Sequence, residues 1–277
     1  MPDAFPKGSV IRRVNSEPAI MLGAGRALLL QLAHPAVAQG VRDHSEFERN
    51  PFKRLQGTLE ATYAAVFGSD DLAAGVGRRI QWIHEFVTGP GYRANDPENL
   101  LWVHATLVDT ALECYTRFVG PLSGADEATY YEEMTRVAGR FGLARAEQPA
   151  DIDEFRRYVA ATIARIDVTD AGRDLASFIL RPTLPLALHV PFAPVLALER
   201  LLTLGLTPPA IRRQLDVSWE GSQERRFVRA QQVLRAVFAA TPRPVRIAPT
   251  VAQGPFLLSL AGRHVRSFEE RQRLVAG

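Results

Sequence analysis

Residues 69–119 read SDDLAAGVGRRIQWIHEFVTGPGYRANDPENLLWVHATLVDTALECYTRFV. Ser69-Asp70-Asp71 supplies N-cap candidates for one helix, and Gly89-Pro90-Gly91 is a strong stop. Asn95-Asp96-Pro97-Glu98 then offers a capping side chain, a proline at the first helical position and an acid in the first turn. The stretch therefore predicts one helix to about Thr88 and a second to about Val119.

Helical periodicity continues through the other segments, and signals for β-hairpins are scarce. Met1–Ser16 is predicted as an extended arm, and Pro35 is expected to kink or break a helix over Leu22–Val41. Pro182–Leu206 is apolar and rich in proline, which predicts a broken entry and then a buried helix from about Pro194. A proline-rich loop is expected at Thr241–Pro249. The other predicted helices are Phe52–Phe67, Ala125–Phe141, Ile152–Ile166, Ala171–Leu180, Pro208–Val217, Ser218–Ala240 and one within Pro255–Val275.

The totals favour a single all-α domain over residues 1–277. A chain of 277 residues is long for one domain and short for two, and 47% hydrophobic with 23% charged residues is ordinary for a globular protein. Cys114 is the only cysteine, which excludes an internal disulfide and a cysteine-rich metal site. The N-terminus lacks the apolar core of a signal peptide, and no apolar run has the length of a membrane span. We therefore expect a cytoplasmic protein without a transmembrane segment.

Charge is unevenly distributed although the net charge is only +3. From Arg200 to Gly277 there are 13 arginines and five acids, a balance of 13 − 5 = +8. Such a segment could meet nucleic acid, an anionic membrane surface or an acidic partner, whereas the simpler interpretation is a solvated surface. Interleaved aromatic residues and nucleic-acid motifs are missing, so no nucleic-acid partner is predicted.

Two histidines lie in apolar helical surroundings. Val76, Ile80 and His84 follow one another at four-residue spacing and so share a helix stripe, and His104 follows Leu100-Leu101-Trp102-Val103. An imidazole among aliphatic side chains suits axial ligation of heme iron, because a porphyrin needs an apolar slot. The simpler interpretation of either residue is a core histidine that is bonded to a backbone carbonyl.

Arg54 and Thr58 are one helical turn apart and share a face. A guanidinium beside a hydroxyl could hold a propionate or polarise bound oxygen, although a surface arginine and an ordinary helix threonine explain the pattern equally well.

Other enzyme classes lack their sequence signatures here. A nucleophile elbow, a P-loop, a dinucleotide fingerprint and paired histidines at helical zinc spacing are all missing. His34, Asp43, His44 and Glu46 could form a nitrogen–oxygen metal cluster, but their spacing matches no standard pattern.

Several blocks resemble one family, that of the MpaB-type oxygenases and the latex clearing proteins. Leu30–Ser45, LQLAHPAVAQGVRDHS, is similar to its opening signature, and Arg54-x3-Thr58 resembles its arginine–threonine pair. Ile83-His84-x2-Val87-x-Gly89, with the following Tyr92-x-Ala94-x-Asp96-Pro97 and Trp102-Val103-His104, resembles its next block. The likeness is good from Leu22 to Val119 and weaker to about Trp219.

The resemblance implies an all-helical fold around heme b, which a histidine downstream of the arginine–threonine pair holds in the rubber-cleaving members. Carried over, His84 is the expected iron ligand, His104 the second choice, and Arg54 and Thr58 are pocket residues. The expected activity is dioxygen chemistry on a small or medium-sized apolar substrate such as an isoprenoid. The rubber-cleaving members carry a lysine directly before the threonine, where this chain has Gly57, and that difference argues against cleavage of polyisoprene.

Two other functions are compatible with the sequence. A non-heme metal oxygenase would use His34, His44 or His104 with carboxylates. A heme or lipid carrier, or a regulatory binding module, would bind its ligand without converting it.

Overall fold

The structure, a computed structural model, describes residues 2–45, 51–182 and 186–276, with the side chains of 51–55, 186–190 and 275–276 outside that description. The described chain is 79% helical, which confirms the predicted all-α class. Its α-helices are α1 Val10–Asn15, α2 Ala24–Ala33, α3 Pro35–His44, α4 Pro51–Phe67, α5 Asp70–Glu85, α6 Pro97–Cys114, α7 Gly124–Arg140, α8 Ile152–Arg165, α9 Asp170–Leu180, α10 Leu186–Leu206, α11 Pro209–Gln214, α12 Gly221–Ala240 and α13 Arg243–Ala276.

The N-terminal segment is packed against the helices, and the predicted extended arm over residues 1–16 is wrong. The short helix α1 lies within it, and Ile11 and Val14 are fully buried in the largest core cluster. The backbone N–H of Ile11 donates to the Glu133 carboxylate at 2.6 Å. A six-residue helix offers too little periodicity to be recognised in a sequence, since its stability comes from these tertiary contacts.

Pro35 separates α2 from α3 as predicted. His34, directly before it, is extended at ψ 124°, because the proline ring disfavours helical backbone at the preceding residue. The segments Pro18–Ala33 and Pro35–His44 meet at 100°. Among the described residues, no single helix is long and apolar enough to cross a membrane, and this bent pair alone meets the length and composition of a span.

Helices α4 and α5 form an antiparallel hairpin that turns at Gly68 and Ser69. The Ser69 hydroxyl accepts from the Leu72 N–H at 3.3 Å, which confirms the predicted N-cap. Ala64 of α4 and Val76 of α5 are buried together with Ala261 and Val265 of α13. The C-terminal helix therefore closes the groove between α4 and α5.

A two-stranded antiparallel hairpin follows α5 and was not predicted. Thr88 pairs with Arg93 and Gly89 with Tyr92, around Gly91 at φ +79°. Helix α5 ends at Glu85, slightly before the predicted end at about Thr88, and Pro90 and Gly91 form the turn of the hairpin. The Tyr92 hydroxyl donates to Asp43 at 2.6 Å, so the hairpin is anchored to the end of α3.

Two C-terminal predictions about proline are also wrong. Helix α10 begins at Leu186 and includes Pro191 and Pro194, and it is not buried from Pro194, since Val195 and Leu198 are exposed. Helix α13 begins at Arg243, inside the predicted loop at 241–249, and includes Pro249 and Pro255. Pro249 and Pro255 lie on the exposed side of α13. Water can solvate the carbonyl groups that lose a helical partner there, which lowers the cost of an interior proline.

A buried carboxylate fastens the start of α13 to the N-terminal segment. The side chain of Glu17 is 0% exposed and accepts two bonds from Arg246, at 2.6 and 2.8 Å. Arg243 lies 3.5 Å from the same carboxylate. The bidentate geometry compensates for removing the charge of Glu17 from water.

Arg246→Ala should lower the free energy of unfolding by about 3 kcal/mol, because it leaves the buried Glu17 charge without its main partner. Urea denaturation followed by circular dichroism measures this. Arg263→Ala is the matched control, since the one hydrogen bond that Arg263 makes within the described residues is to the exposed Ser259 hydroxyl, and its loss should change stability by less than about 0.5 kcal/mol. Equal effects of the two variants would contradict the assignment of Glu17 as a buried ion.

Candidate functional site

The α4–α5 hairpin places the predicted site residues at similar distances from its turn. Arg54 lies before the turn on α4 and His84 lies after it on α5, and about the same number of residues separates each from the turn. Both are therefore about 22 Å from the turn. Thr58 is one helical turn nearer to it. The end of the hairpin farthest from the turn therefore combines the candidate iron ligand with the candidate pocket residues.

His84 lies in the last turn of α5 and is half-buried. Its backbone carbonyl accepts from the N–H groups of Phe86 and Val87, which ends the helix directly after it. Trp82, two residues earlier, points to the opposite side of α5 and packs on Phe268 of α13. The imidazole thus lies on the side of α5 away from α13, and its Nδ1 atom is buried.

The other two predicted residues of α4 are described to different degrees. The side chain of Arg54 lies outside the described residues, whereas Thr58 is half-buried. Gly57, between them, is exposed, and a Cβ added there would meet nothing within 4 Å. The position before Thr58 therefore has room for a long side chain.

His104 has the surroundings of a core residue. It is 9% exposed on α6, and burial lowers its pKa to about 4, an effect that a hydrogen bond to the Met134 backbone opposes only in part. Its Nε2 atom is buried and has no hydrogen-bond partner in the described part of the chain. His104 thus offers a neutral nitrogen lone pair but no open side, whereas His84 is partly open.

The predicted nitrogen–oxygen cluster does not form between His34 and His44. They stand before and at the end of α3, about 15 Å apart along its axis. His44 is exposed and contacts the Thr88 carbonyl at 3.0 Å, and Asp43 is held by Tyr92. Glu46 lies outside the described residues, and no group of three potential metal-ligating side chains occurs among those that are described.

Two charged networks connect helices that are distant in sequence. The Arg26 guanidinium of α2 binds Asp109 of α6 at 2.5 Å. His264 Nδ1 of α13 lies 2.7 Å from the buried Glu60 of α4. Glu60 is two residues after Thr58 but 204 residues from His264, so no local pattern could reveal that pair.

A shallow pocket lies on the Trp82 side of α5, facing away from His84. It is lined by charged and aromatic side chains of α5 and α13, namely Arg78, Trp82, Phe268, Glu269, Gln272 and Arg273. An open, strongly charged surface of this kind does not suit a porphyrin, which needs an enclosed apolar slot.

The depressed pKa of His104 predicts loss of stability in acid. An unfolded histidine takes up a proton near pH 6.5, whereas the folded one does so only near pH 4. The free energy of unfolding should therefore fall as pH drops from 6.5 to 4, by up to roughly 3 kcal/mol.

Urea titrations at several pH values test this against His104→Gln, which does not titrate. The fall in the unfolding free energy between pH 6.5 and 4 should be smaller for the variant. Burial also lowers the pKa of His34, so His34 contributes to the pH dependence of stability in both proteins. Comparison with the variant cancels this contribution. Identical pH profiles for the two proteins would show that His104 titrates normally.

Comparison with known proteins gives a family. Residues 11–236 match the family model described as ER-bound oxygenase mpaB/B'/Rubber oxygenase, catalytic domain. Uncharacterized proteins of Mycobacterium bovis and Mycobacterium tuberculosis are each 27% identical over 228 residues, which cover 78% of this chain and 87% of theirs. No solved structure matches the chain significantly. Because the matched region spans most of the chain and includes Arg54, Thr58, His84 and His104, the protein belongs to the mpaB and rubber oxygenase catalytic-domain family.

Proposed function

We propose that the protein is a heme b-dependent oxygenase that uses dioxygen on a small or medium-sized apolar substrate such as an isoprenoid. The observation that carries the proposal is the family match over residues 11–236, because that family is one of oxygenases. Heme as the cofactor and the class of substrate go beyond this match and are argued from the residues.

The donor chemistry at the open end of the α4–α5 hairpin fits a heme. His84 is the half-buried imidazole of the predicted block, and a neutral imidazole is a common axial ligand of heme iron. Thr58 supplies a hydroxyl one turn closer to the hairpin turn, and Arg54 supplies a permanent positive charge on the same helix. Heme, when bound, supplies the redox-active iron at which dioxygen reacts.

Each of these residues has a separate task. His84 would hold the iron and fix the position of the porphyrin relative to α5. Arg54 would pair with a propionate or with polar oxygen, since guanidinium matches a carboxylate with two parallel bonds. Thr58 would offer a hydrogen bond beside it and help to orient the bound molecule.

Gly57 distinguishes this chain from the rubber-cleaving members that it resembles. Those members have a lysine at this position, whereas glycine has no side chain that could reach iron. We therefore propose that residue 57 would contribute no ligand to a bound heme, and that the substrate is smaller than a polymer.

The visible spectrum of purified protein tests the proposal most directly. We expect a Soret band and about one heme for each chain, or stoichiometric uptake of added hemin. Supplying an isoprenoid hydrocarbon should then produce dioxygen uptake. Protein that stays colourless with hemin would refute the heme proposal, and stable heme without dioxygen uptake on any apolar substrate would indicate a carrier.

His84→Ala should keep its helical circular dichroism and bind hemin at least about 100-fold more weakly. Loss of a group that only orients a metal ligand already weakens binding by roughly 10–100-fold, and loss of the ligand itself should weaken it more. His44→Ala is the matched control, since His44 is exposed on α3, and it should retain heme. If His104→Ala loses heme and His84→Ala does not, the buried Nε2 of His104 is the ligand.

Gly57→Lys should shift the ferric spectrum from high-spin toward low-spin and slow the binding of carbon monoxide to the ferrous protein. Lysine must lose its proton to coordinate iron, so the shift should grow with rising pH. Open space at Gly57 allows the substitution without repacking. Gln56→Lys, an exposed position about 100° around α4, is the control, and equal spectra for both lysine variants would contradict the placement of Gly57 at the iron.

A further inference from the structure

The turn between α12 and α13 lies in the longest acid-free part of the basic C-terminal third. No aspartate or glutamate occurs between Glu224 and Glu269. The same interval contains eight arginines, at positions 225, 226, 229, 235, 243, 246, 263 and 266. Any surface that this interval presents therefore has a purely positive charge.

Large apolar side chains are exposed on both helices next to this turn. They form what we name the apolar corner: Val233 at 62% exposure, Val237 at 55%, Val245 at 63%, Val251 at 57% and Phe256 at 61%. Isolated exposed apolar residues are ordinary, whereas five on the two helices that flank one bend are more typical of an interaction site.

The outward side of α13 carries apolar residues near the bend and again at Leu274 near its far end. Arg246, Thr250 and Gly254 follow one another at four-residue spacing and pack on the body, through Glu17 and Tyr63. Val245 and Phe256 lie on the opposite side of the helix, together with exposed small and proline residues at 248, 249, 252 and 255. Farther along, the exposed positions become charged, at Arg263 and Arg266.

Helix α12 exposes apolar and basic side chains together. Phe227 is buried and Leu234 and Phe238 are partly buried against the neighbouring helices, which fixes the packed side. The exposed side carries Arg225 and Arg229, and then Val233, Arg235 and Val237 toward the bend. Both helices therefore present apolar side chains with arginines beside them.

The arginines of α12 are free to act on a partner. Within the described part of the chain, Arg229 and Arg235 make no hydrogen bond or ion pair and are exposed, whereas Arg246 is engaged by Glu17. An unpaired surface guanidinium on a long aliphatic stem can reach headgroup phosphates while the residues beside it enter the hydrocarbon boundary.

We propose that the apolar corner docks on the surface of a lipid bilayer that contains anionic lipids. A bilayer offers an apolar interior to the exposed valines and Phe256, and negative headgroups to the exposed arginines beside them. A second copy of this chain would bring two acid-free, arginine-rich surfaces together in a symmetric interface, which like-charge repulsion opposes. Nucleic acid would satisfy the arginines and leave the valines and Phe256 in water.

Val237, Val245, Val251 and Phe256 of this surface lie beyond residue 236, where the family match ends, and the surface does not include His84, Arg54 or Thr58. The proposal is therefore independent of the heme proposal. Docking there would hold the enzyme where apolar molecules dissolve.

Vesicle flotation with the full chain tests the docking. We expect binding to phosphatidylcholine vesicles that contain phosphatidylglycerol, weak binding to pure phosphatidylcholine, and release by salt. Arg229→Gln combined with Arg235→Gln should weaken binding on the order of 25-fold, since each arginine near an anionic surface contributes roughly fivefold. Val245→Glu combined with Phe256→Glu should weaken it by at least about tenfold through lost apolar burial.

Two matched controls separate this surface from the rest of the protein. Leu274→Glu changes another apolar residue, 82% exposed near the far end of α13, and Arg157→Gln removes an exposed arginine of α8. Both should bind vesicles like the wild type.

Three results would overturn the proposal. In the first, the wild type does not bind anionic vesicles. In the second, the corner variants and the control variants lose vesicle binding equally. In the third, the protein forms a concentration-dependent dimer without binding vesicles, and Val245→Glu combined with Phe256→Glu disrupts the dimer. Tighter binding to duplex DNA than to vesicles, lost in the arginine variant alone, would assign the surface to nucleic acid instead. Circular dichroism of each variant shows that it is folded.

Discussion

The buried guanidinium of Arg26 connects three helices at the centre of the protein. It lies on α2, donates to Asp109 and Thr110 of α6 at 2.5 Å each, and donates to the Leu206 carbonyl at the end of α10 at 3.0 Å. A charge that is 5% exposed is tolerated only because all of its nitrogen atoms have partners. The relative placement of α2, α6 and α10 is therefore fixed by directional bonds as well as by apolar packing.

The position of the site follows from this central arrangement. Trp102 of α6 donates to the Leu30 carbonyl of α2 at 2.9 Å, so the start of α6 is held beside α2. The β-hairpin that precedes α6 is in turn bonded to the end of α3 through Tyr92 and Asp43. His84 lies in the last turn of α5, just before that hairpin. Its position is consequently fixed by the packing of α5 on one side and by the anchored hairpin on the other.

Local signals account for what could be predicted. Ser69, Pro35 and Pro97 act on backbone within a few residues, and the helix starts and breaks that they predict are present. The predictions failed where distant contacts outweigh local preference: α1 is stabilised by burial of Ile11, and α13 continues through Pro249 because Arg246 and Gly254 pack it on the body. The pairing of Glu60 with His264 was equally beyond sequence reasoning. At the site, spacing placed His84 and His104 on helices but could not show that His104 is enclosed and His84 partly open.

The closure of α4 and α5 by α13 has a consequence for biosynthesis. Chains emerge from the ribosome N-terminus first, so α4 is complete roughly 200 residues before the helix that covers Ala64 and Val76. Until then these apolar side chains are not packed against α13. Glu17 likewise has no ion pair with Arg246, which lies 229 residues later in the sequence. Contacts of such separation form slowly, since loop closure must precede the gain in free energy. The nascent chain can therefore reach this packing only after α13 has been synthesised, and until then the apolar side chains of α4 and α5 are more exposed to aggregation.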